Sequence, residues 1–261
     1  MNRIDELFIK LRSKKKSAFI SFVTAGDPDI ETTKKLILEF EKNGADLIEI
    51  GVPFSDPLAD GPTIQASSQR ALKKNTNIKD IFSLVKSLRK STQIPVVLMT
   101  YYNPIFHYGE VRFIKEAVEC GVDGVIVPDL PPEEAKALIH EARKNGLATV
   151  FFITPTTKEN RLKLIAEAST GFIYYVSLTG VTGVRDSFSG SIQKKLGMVR
   201  KYISLPVCVG FGVSTRQQVQ SLSKFADGVI VGSAIVKEIE NNSGNKNLVK
   251  NVGKFVKHLA N

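Results

Sequence analysis

The sequence predicts a single (β/α)8 (TIM) barrel over residues 1–261, and three observations carry that expectation. Eight short apolar runs recur roughly 30 residues apart, the length of one strand–helix repeat. The runs are continuous rather than alternating, as parallel strands covered on both faces should be. No linker or shift in composition divides the chain. Eight parallel strands close into a barrel, whereas a doubly wound open sheet normally holds fewer.

The elements follow in order. Asp5–Leu11 reads as an extra N-terminal helix that would cover the barrel floor. The strands are expected at Ala18–Thr24, Leu47–Gly51, Pro95–Met99, Gly124–Val127, Ala148–Ile153, Phe172–Val176, Pro206–Val209 and Gly228–Val231. Amphipathic stretches at Ile30–Asn43, Val111–Cys120, Pro132–Asn145 and Lys158–Ala168 supply helices between them. The gap from Gly51 to Pro95 has room for two helices, Thr63–Lys73 and Ile78–Lys90, so an additional helix follows strand 2. Gly44, Gly121 and Gly146 stand where a helix ends in the left-handed conformation, and Thr157 and Ser214 stand where N-caps belong.

Composition excludes several classes. With 43% hydrophobic and 24% charged residues, the chain is neither disordered nor fibrous. Two cysteines, Cys120 and Cys208, with no CxxC spacing point to a reducing compartment rather than a disulfide framework. The N-terminus mixes both charges without an apolar signal core, and no apolar run approaches the ~20 residues that span a bilayer. A cytoplasmic protein without membrane contact is expected. The net charge of +10 raises the question of nucleic acid. Yet the one dense basic run is Lys14-Lys15-Lys16; the other cations are scattered among acids, and there is neither zinc-finger spacing nor an RNA-binding aromatic pattern. A basic surface that attracts a small anionic metabolite is the simpler expectation.

Three stretches carry chemistry. In Ala45–Pro62, strand alternation puts Leu47, Glu49 and Gly51 on one face and Ile48 and Ile50 on the other. Helices cover the outside, so Glu49 points into the barrel mouth, where apolar neighbours should raise its pKa into a range useful for proton transfer. A buried glutamate held by a partner is the alternative, but no basic residue sits on this strand. Asp60 lies in the following loop, stiffened by Pro53, Pro57 and Pro62; it could equally be a turn residue, and Asp56 competes for the role of second acid.

The second stretch is a pair of glycine turns. Gly210-Phe211-Gly212 follows strand seven and Gly232-Ser233 follows strand eight, each opening a helix. Barrels commonly bind phosphate between these two loops, with backbone N–H groups and a helix N-terminus facing the anion. The third is Leu178–Gly190, a long glycine-punctuated segment expected to be a loop that closes as a lid. Just before it, Tyr174 and Tyr175 alternate, so one phenol faces the pocket.

Absences narrow the mechanism. No lysine lies within an expected strand, which argues against a Schiff base. His107, His140 and His258 lack metal-ligand spacing, so no metal is expected, and a glycine-rich dinucleotide fingerprint is missing after strand one. A cofactor-free acid–base site beside a phosphate cradle remains.

The stretches IEIGVPFSDPLADGP, VPDLPPEE, YYVSLTGVTGVR, VGFGVS and VGSAIV, in this order, resemble the tryptophan synthase α-subunit family, and the resemblance covers essentially the whole chain. It implies cleavage of indole-3-glycerol phosphate to indole and glyceraldehyde 3-phosphate. It also implies transfer of indole to a β subunit that holds pyridoxal phosphate, in an αββα heterotetramer, with no cofactor in this chain. By position, the resemblance makes Glu49 the acid–base residue and Asp60 the carboxylate facing the indole N–H. Phe22, Ile64, Tyr101, Tyr174 and Phe211 would line the substrate pocket, and Thr182 would help order the lid. Gly183, Gly212, Gly232 and Ser233 would bind phosphate, and Pro53, Asp56 and Asn103 would meet the β subunit. Two other functions compete: an isomerase or epimerase of phosphorylated sugars, and a catalytically weak module that activates a partner through its loops.

Overall fold

The computed structural model describes residues 2–177, 185–210 and 212–261, with backbone alone for 185–191. Nine strand segments form one all-parallel sheet: β1 (Ala18–Thr24), β2 (Leu47–Gly51), β3 (Val96–Met99), β4 (Gly124–Ile126), β5 (Ala148–Val150), β6 (Phe152–Ile153), β7 (Ile173–Val176), β8 (Val207–Gly210) and β9 (Gly228–Val231). Their order is β5-β4-β3-β2-β1-β9-β8-β7-β6. β5 and β6 are halves of the one strand expected over Ala148–Ile153, divided at Phe151. The lower half pairs with β4 and the upper half with β7, while the Phe151 carbonyl accepts the Tyr174 N–H at 3.0 Å. The sheet therefore closes on itself as an eight-stranded barrel.

Side-chain alternation divides the core into two shells. Inside the barrel, Ala18, Ile20, Leu47, Val97, Ile126, Val150, Phe172, Tyr174, Cys208 and Ile230 pack together. Outside it, Val23, Ile48, Ile50, Val96, Leu98, Val125, Tyr175, Val207 and Val229 meet the helices. Both strands nearest the candidate site, β1 and β2, are buried along their whole length, so continuous apolar runs were the right signature of a doubly covered sheet.

Helix α1 (Arg3–Ser13) begins at a capping box, with the Asn2 side chain accepting the Ile4 N–H at 3.0 Å and Asp5 reaching back to the Asn2 N–H at 3.2 Å. Its buried face, Ile4, Phe8 and Leu11, joins the interior shell and plugs the floor. Arg3 and Asn2 anchor it to Asp123, an almost fully buried aspartate that also binds Arg89 and the Val96 N–H. After β2 come α3 (Pro62–Leu72) and α4 (Ile78–Leu88), the two helices that the long gap called for, preceded in the chain by α2 (Ile30–Lys42). The three helix-ending glycines, Gly44, Gly121 and Gly146, all have positive φ.

Several boundaries differ from expectation. The helix expected from Pro132 starts at Lys136 as α7 (Lys136–Lys144), because Pro131 and Pro132 form a turn whose Pro131 carbonyl accepts from Glu134 and Ala135. Ahead of it lie α5 (Tyr102–Tyr108) and α6 (Glu110–Cys120); α5 was not expected, and Pro104 fits inside its first turn, where no donor is needed. The N-caps move by one residue. Lys158 precedes α8 (Glu159–Ala168) while the Thr157 hydroxyl accepts the Thr154 N–H, and Thr215 rather than Ser214 caps α10 (Arg216–Leu222). Thr215 wins because Gln218 stands three residues on and completes a capping box. Within the segment expected as a loop, residues 185–190 are helical backbone at the start of α9 (Arg185–Val199); residues 178–184 lie outside the described residues. The chain ends with α11 (Ser233–Asn241) and α12 (Leu248–Ala260).

Removing a partner from a buried ion pair leaves a charge uncompensated. Asp123→Ala should therefore lose about 3 kcal/mol or more of stability, read from equilibrium urea unfolding.

Candidate active site

Glu49 stands near the upper end of β2, opposite Phe22 of β1 and Val97 of β3. It shares the inward face with Leu47, as alternation required. The side chain is 1% exposed, and its Oε2 has no hydrogen-bond partner among the described residues. Removal from water, and secondarily the negative charge of Asp60, push its pKa up to about 8. A carboxyl in this state can give a proton near neutral pH and take one back.

Asp60 comes from the loop between β2 and α3. Its N–H donates to the Pro57 carbonyl at 3.0 Å, and its own carbonyl accepts from Gln65 Nε2 at 2.9 Å. The carboxylate accepts from the Tyr101 hydroxyl at 3.0 Å. Burial raises its pKa, and the hydrogen bond from Tyr101 works against that rise. Asp56 is exposed on the same loop and accepts from the Ser55 hydroxyl, so Asp60 is the acid that shares the mouth with Glu49.

Around this pair the sequence places small residues where rings need space. A Cβ on Gly51 would lie 2.5 Å from Phe22 Cζ, and one on Gly210 would lie 2.6 Å from the Tyr174 hydroxyl oxygen. Tyr174 points inward, stacked at a tilt on Phe152, and feels the charges of Glu49 and Asp60; Tyr175 points into the outer shell. That settles which phenol faces the pocket. Tyr101 is buried at the end of β3, and Ile64 lies half-buried in the first turn of α3. The Ile64 carbonyl accepts from Ser67, whose hydroxyl shares a 2.6 Å hydrogen bond with Thr24 at the end of β1.

The glycine turns lie at the same end of the barrel, following β8 and β9 as Glu49's loop follows β2. Gly232 is the N-cap of α11 and brings no side chain to the first turn of that helix, while its carbonyl accepts the Ile235 and Val236 N–H groups at 2.9 and 3.1 Å. Gly212 has φ +76°, a conformation that suits glycine. Thr182, Gly183 and Phe211 lie outside the described residues. Of the three residues expected at a partner surface, Asp56 and Asn103 are exposed and Pro53 is buried, where it stiffens the loop. Sequence reasoning missed two exposed apolar residues near them: Leu58, 91% exposed, and Phe106, 69% exposed. For Leu58 the available signal was a large aliphatic residue in a proline-rich turn; Phe106, inside α5 beside Ile105, gave none.

Fold and site together define a (β/α)8-barrel enzyme with a buried carboxyl pair at the C-terminal mouth of its strands. A family model described as "Tryptophan synthase alpha chain" matches residues 8–261. The tryptophan synthase alpha chain of Geotalea daltonii is 54% identical over 244 residues, covering 94% of this chain and 92% of the relative. That of Geotalea uraniireducens is 51% identical, covering 99% and 97%. Among solved structures, tryptophan synthase subunit alpha from Legionella pneumophila superposes with a TM-score of 0.93 at 37% identity, covering 100% of this chain and 97% of that one. A chain of the tryptophan synthase a2b2 complex from Pyrococcus furiosus gives 0.87 at 43% identity, covering 94% and 98%. The chain belongs to the tryptophan synthase alpha chain family.

Burial of Glu49 has a measurable cost. Folding raises its pKa from 4.5 to about 8, so between those values the unfolded chain ionises while the folded one does not, and stability falls as pH rises. Glu49→Gln escapes this loss. Its stability relative to wild type should improve from pH 4.5 to about 8 and then level off, measured by urea unfolding at stepped pH. A difference that stays constant across that window would mean a solvated carboxyl.

Proposed function

We propose that this chain carries out the alpha reaction of tryptophan synthase, a carbon–carbon lyase step that cleaves indole-3-glycerol phosphate into indole and glyceraldehyde 3-phosphate. The observation that carries the residue assignment is the buried carboxyl of Glu49, whose Oε2 has no hydrogen-bond partner among the described residues, near Asp60.

Indole cannot leave as a carbanion at C3, so C3 must first be protonated. Glu49, protonated at neutral pH, donates that proton, and Asp60 faces the ring N–H and stabilises the positive charge that develops on the indolenine. The glycerol hydroxyl next to the breaking bond then loses its proton to the Glu49 carboxylate. Its electron pair becomes the aldehyde C=O, and the C–C bond electrons return to the ring as neutral indole. One proton leaves Glu49 and one comes back, so the site is regenerated. A raised pKa is what lets one carboxyl do both jobs. Phe22, Ile64, Tyr101 and Tyr174 bound the aromatic part of the substrate, with Phe211 and Thr182 as further contacts. Gly212, Gly232 and Ser233, with Gly183, hold the phosphate, and the start of α11, where no cap side chain intervenes, supports that role.

No step of this sequence requires a cofactor in the chain. Pyridoxal phosphate belongs to the β subunit that receives the indole in an αββα assembly. Exposed Leu58 and Phe106 support a partner surface around Asp56 and Asn103, because large apolar side chains held in water at one rim favour burial by a second protein. A cytoplasmic setting is part of the proposal, supported by two cysteines that are free and buried.

Indole release from indole-3-glycerol phosphate, with and without a β subunit, tests the proposal directly. Glu49→Gln should fold and lose at least ~10²-fold in turnover, the lower bound for a lost general acid–base. Asp60→Asn should lose less but still substantially. Near-wild-type turnover by folded Glu49→Gln would overturn the mechanism.

A further inference from the structure

Tyr101 was expected only as a wall of the pocket, yet its hydroxyl makes two hydrogen bonds to one loop. It donates to Asp60 Oδ2 at 3.0 Å and accepts the Ala59 N–H at 2.9 Å. The ring is 5% exposed and stacks on Phe54 of the same loop, with centroids 5.2 Å apart. Tyr101 follows β3, so it braces the β2 loop from the neighbouring strand. The backbone of Asp60 is tied on both sides, through Pro57 and Gln65. What those ties leave free is rotation of the carboxyl group, and the phenol stops it.

We propose that Tyr101 is a positioning residue for the cleavage: its hydroxyl occupies Asp60 Oδ2 and so keeps Oδ1 as the acceptor for the ring N–H of the substrate. This rests on the lyase function proposed above. A carboxylate that accepts a fixed donor on one oxygen has a defined orientation for the other, and charge that develops in the transition state rewards orientation set in advance. The donation also offsets burial at Asp60. The other titratable groups acting on this pair are acids or phenols: Glu49 from β2 and Tyr174 from β7 interact with Asp60, and Asp129 with Tyr101. Without the phenolic donor, Asp60 is left among groups that disfavour its ionised form.

Tyr101→Phe keeps the ring, its stacking and the pocket wall, and removes only the hydroxyl. In the full chain assayed with its β subunit, kcat for indole release should fall roughly tenfold or more, the factor that a charge-assisted hydrogen bond supports, while KM stays within about twofold. The acid limb of the pH–rate profile should move to higher pH, because Asp60 then holds its proton longer. In an Asp60→Asn background, Tyr101→Phe should add little, since the two changes remove the same interaction. Unchanged kcat and pH profile in Tyr101→Phe, with Glu49→Gln inactive, would overturn the positioning role and leave the lyase function intact. A rise in KM alone would also overturn it, by reducing Tyr101 to a wall. Absence of indole release by the wild-type chain with its β subunit would instead overturn the function beneath it.

Discussion

The site depends on holding one carboxyl away from water without pairing it to a cation or a hydrogen-bond donor. Glu49 sits on a fully buried strand among apolar side chains, and the described residues offer its Oε2 neither a cation nor a donor. An ionised group would be costly there, so the site keeps its proton near neutral pH. The surroundings preserve that state. Leu47 lies below it on the inward face, and the Phe22 ring fills the space that Gly51 leaves open beside it. A partner lysine or an open channel to solvent would return the carboxyl to an ordinary, ionised condition.

Such a site needs a rigid barrel, and the stiffening is concentrated at the floor. Asp46, Asp123 and Asp227 each stand just before a strand, and each accepts the backbone N–H at the start of a neighbouring strand: Phe19, Val96 and Val207, at 2.8, 2.8 and 2.9 Å. These side chains tie adjacent strands where the ladder begins, and α1 seals the interior below them. The mouth is built differently. There, polar atoms serve the loops: Thr24 meets Ser67, Tyr101 meets Asp60, and the Tyr102 N–H donates to Asp129. Stability at one end and function at the other follow from the same parallel arrangement, because all strands point the same way.

The barrel was legible because its signals are local and repeat. Continuous apolar runs, glycines at helix ends and the over-long gap after β2 each depend on a few neighbouring residues. Glu49 was legible for the same reason: alternation from Leu47 to Gly51 settles its face once helices are known to cover the outside. Where local signals overlapped, boundaries slipped. Pro131 and Pro132 took a turn where amphipathic spacing suggested helix, and Gln218 drew the cap of α10 from Ser214 to Thr215. Pro53, which the resemblance put at the partner surface, is buried, and a loop position in sequence says nothing about burial.

The sequence by itself determined the strand count, the parallel sheet, the inward face of β2 and the family that these motifs resemble, since those features are written in residue type and spacing. Between Asp60 and Asp56, and between Tyr174 and Tyr175, local chemistry left both open and the resemblance named one of each; tertiary structure brought Asp60 near Glu49, turned Tyr175 into the outer shell and set the hydroxyl of Tyr101 against Asp60. Those choices turn on which atoms from distant segments come within a few ångströms, and no window of neighbouring residues contains that distance.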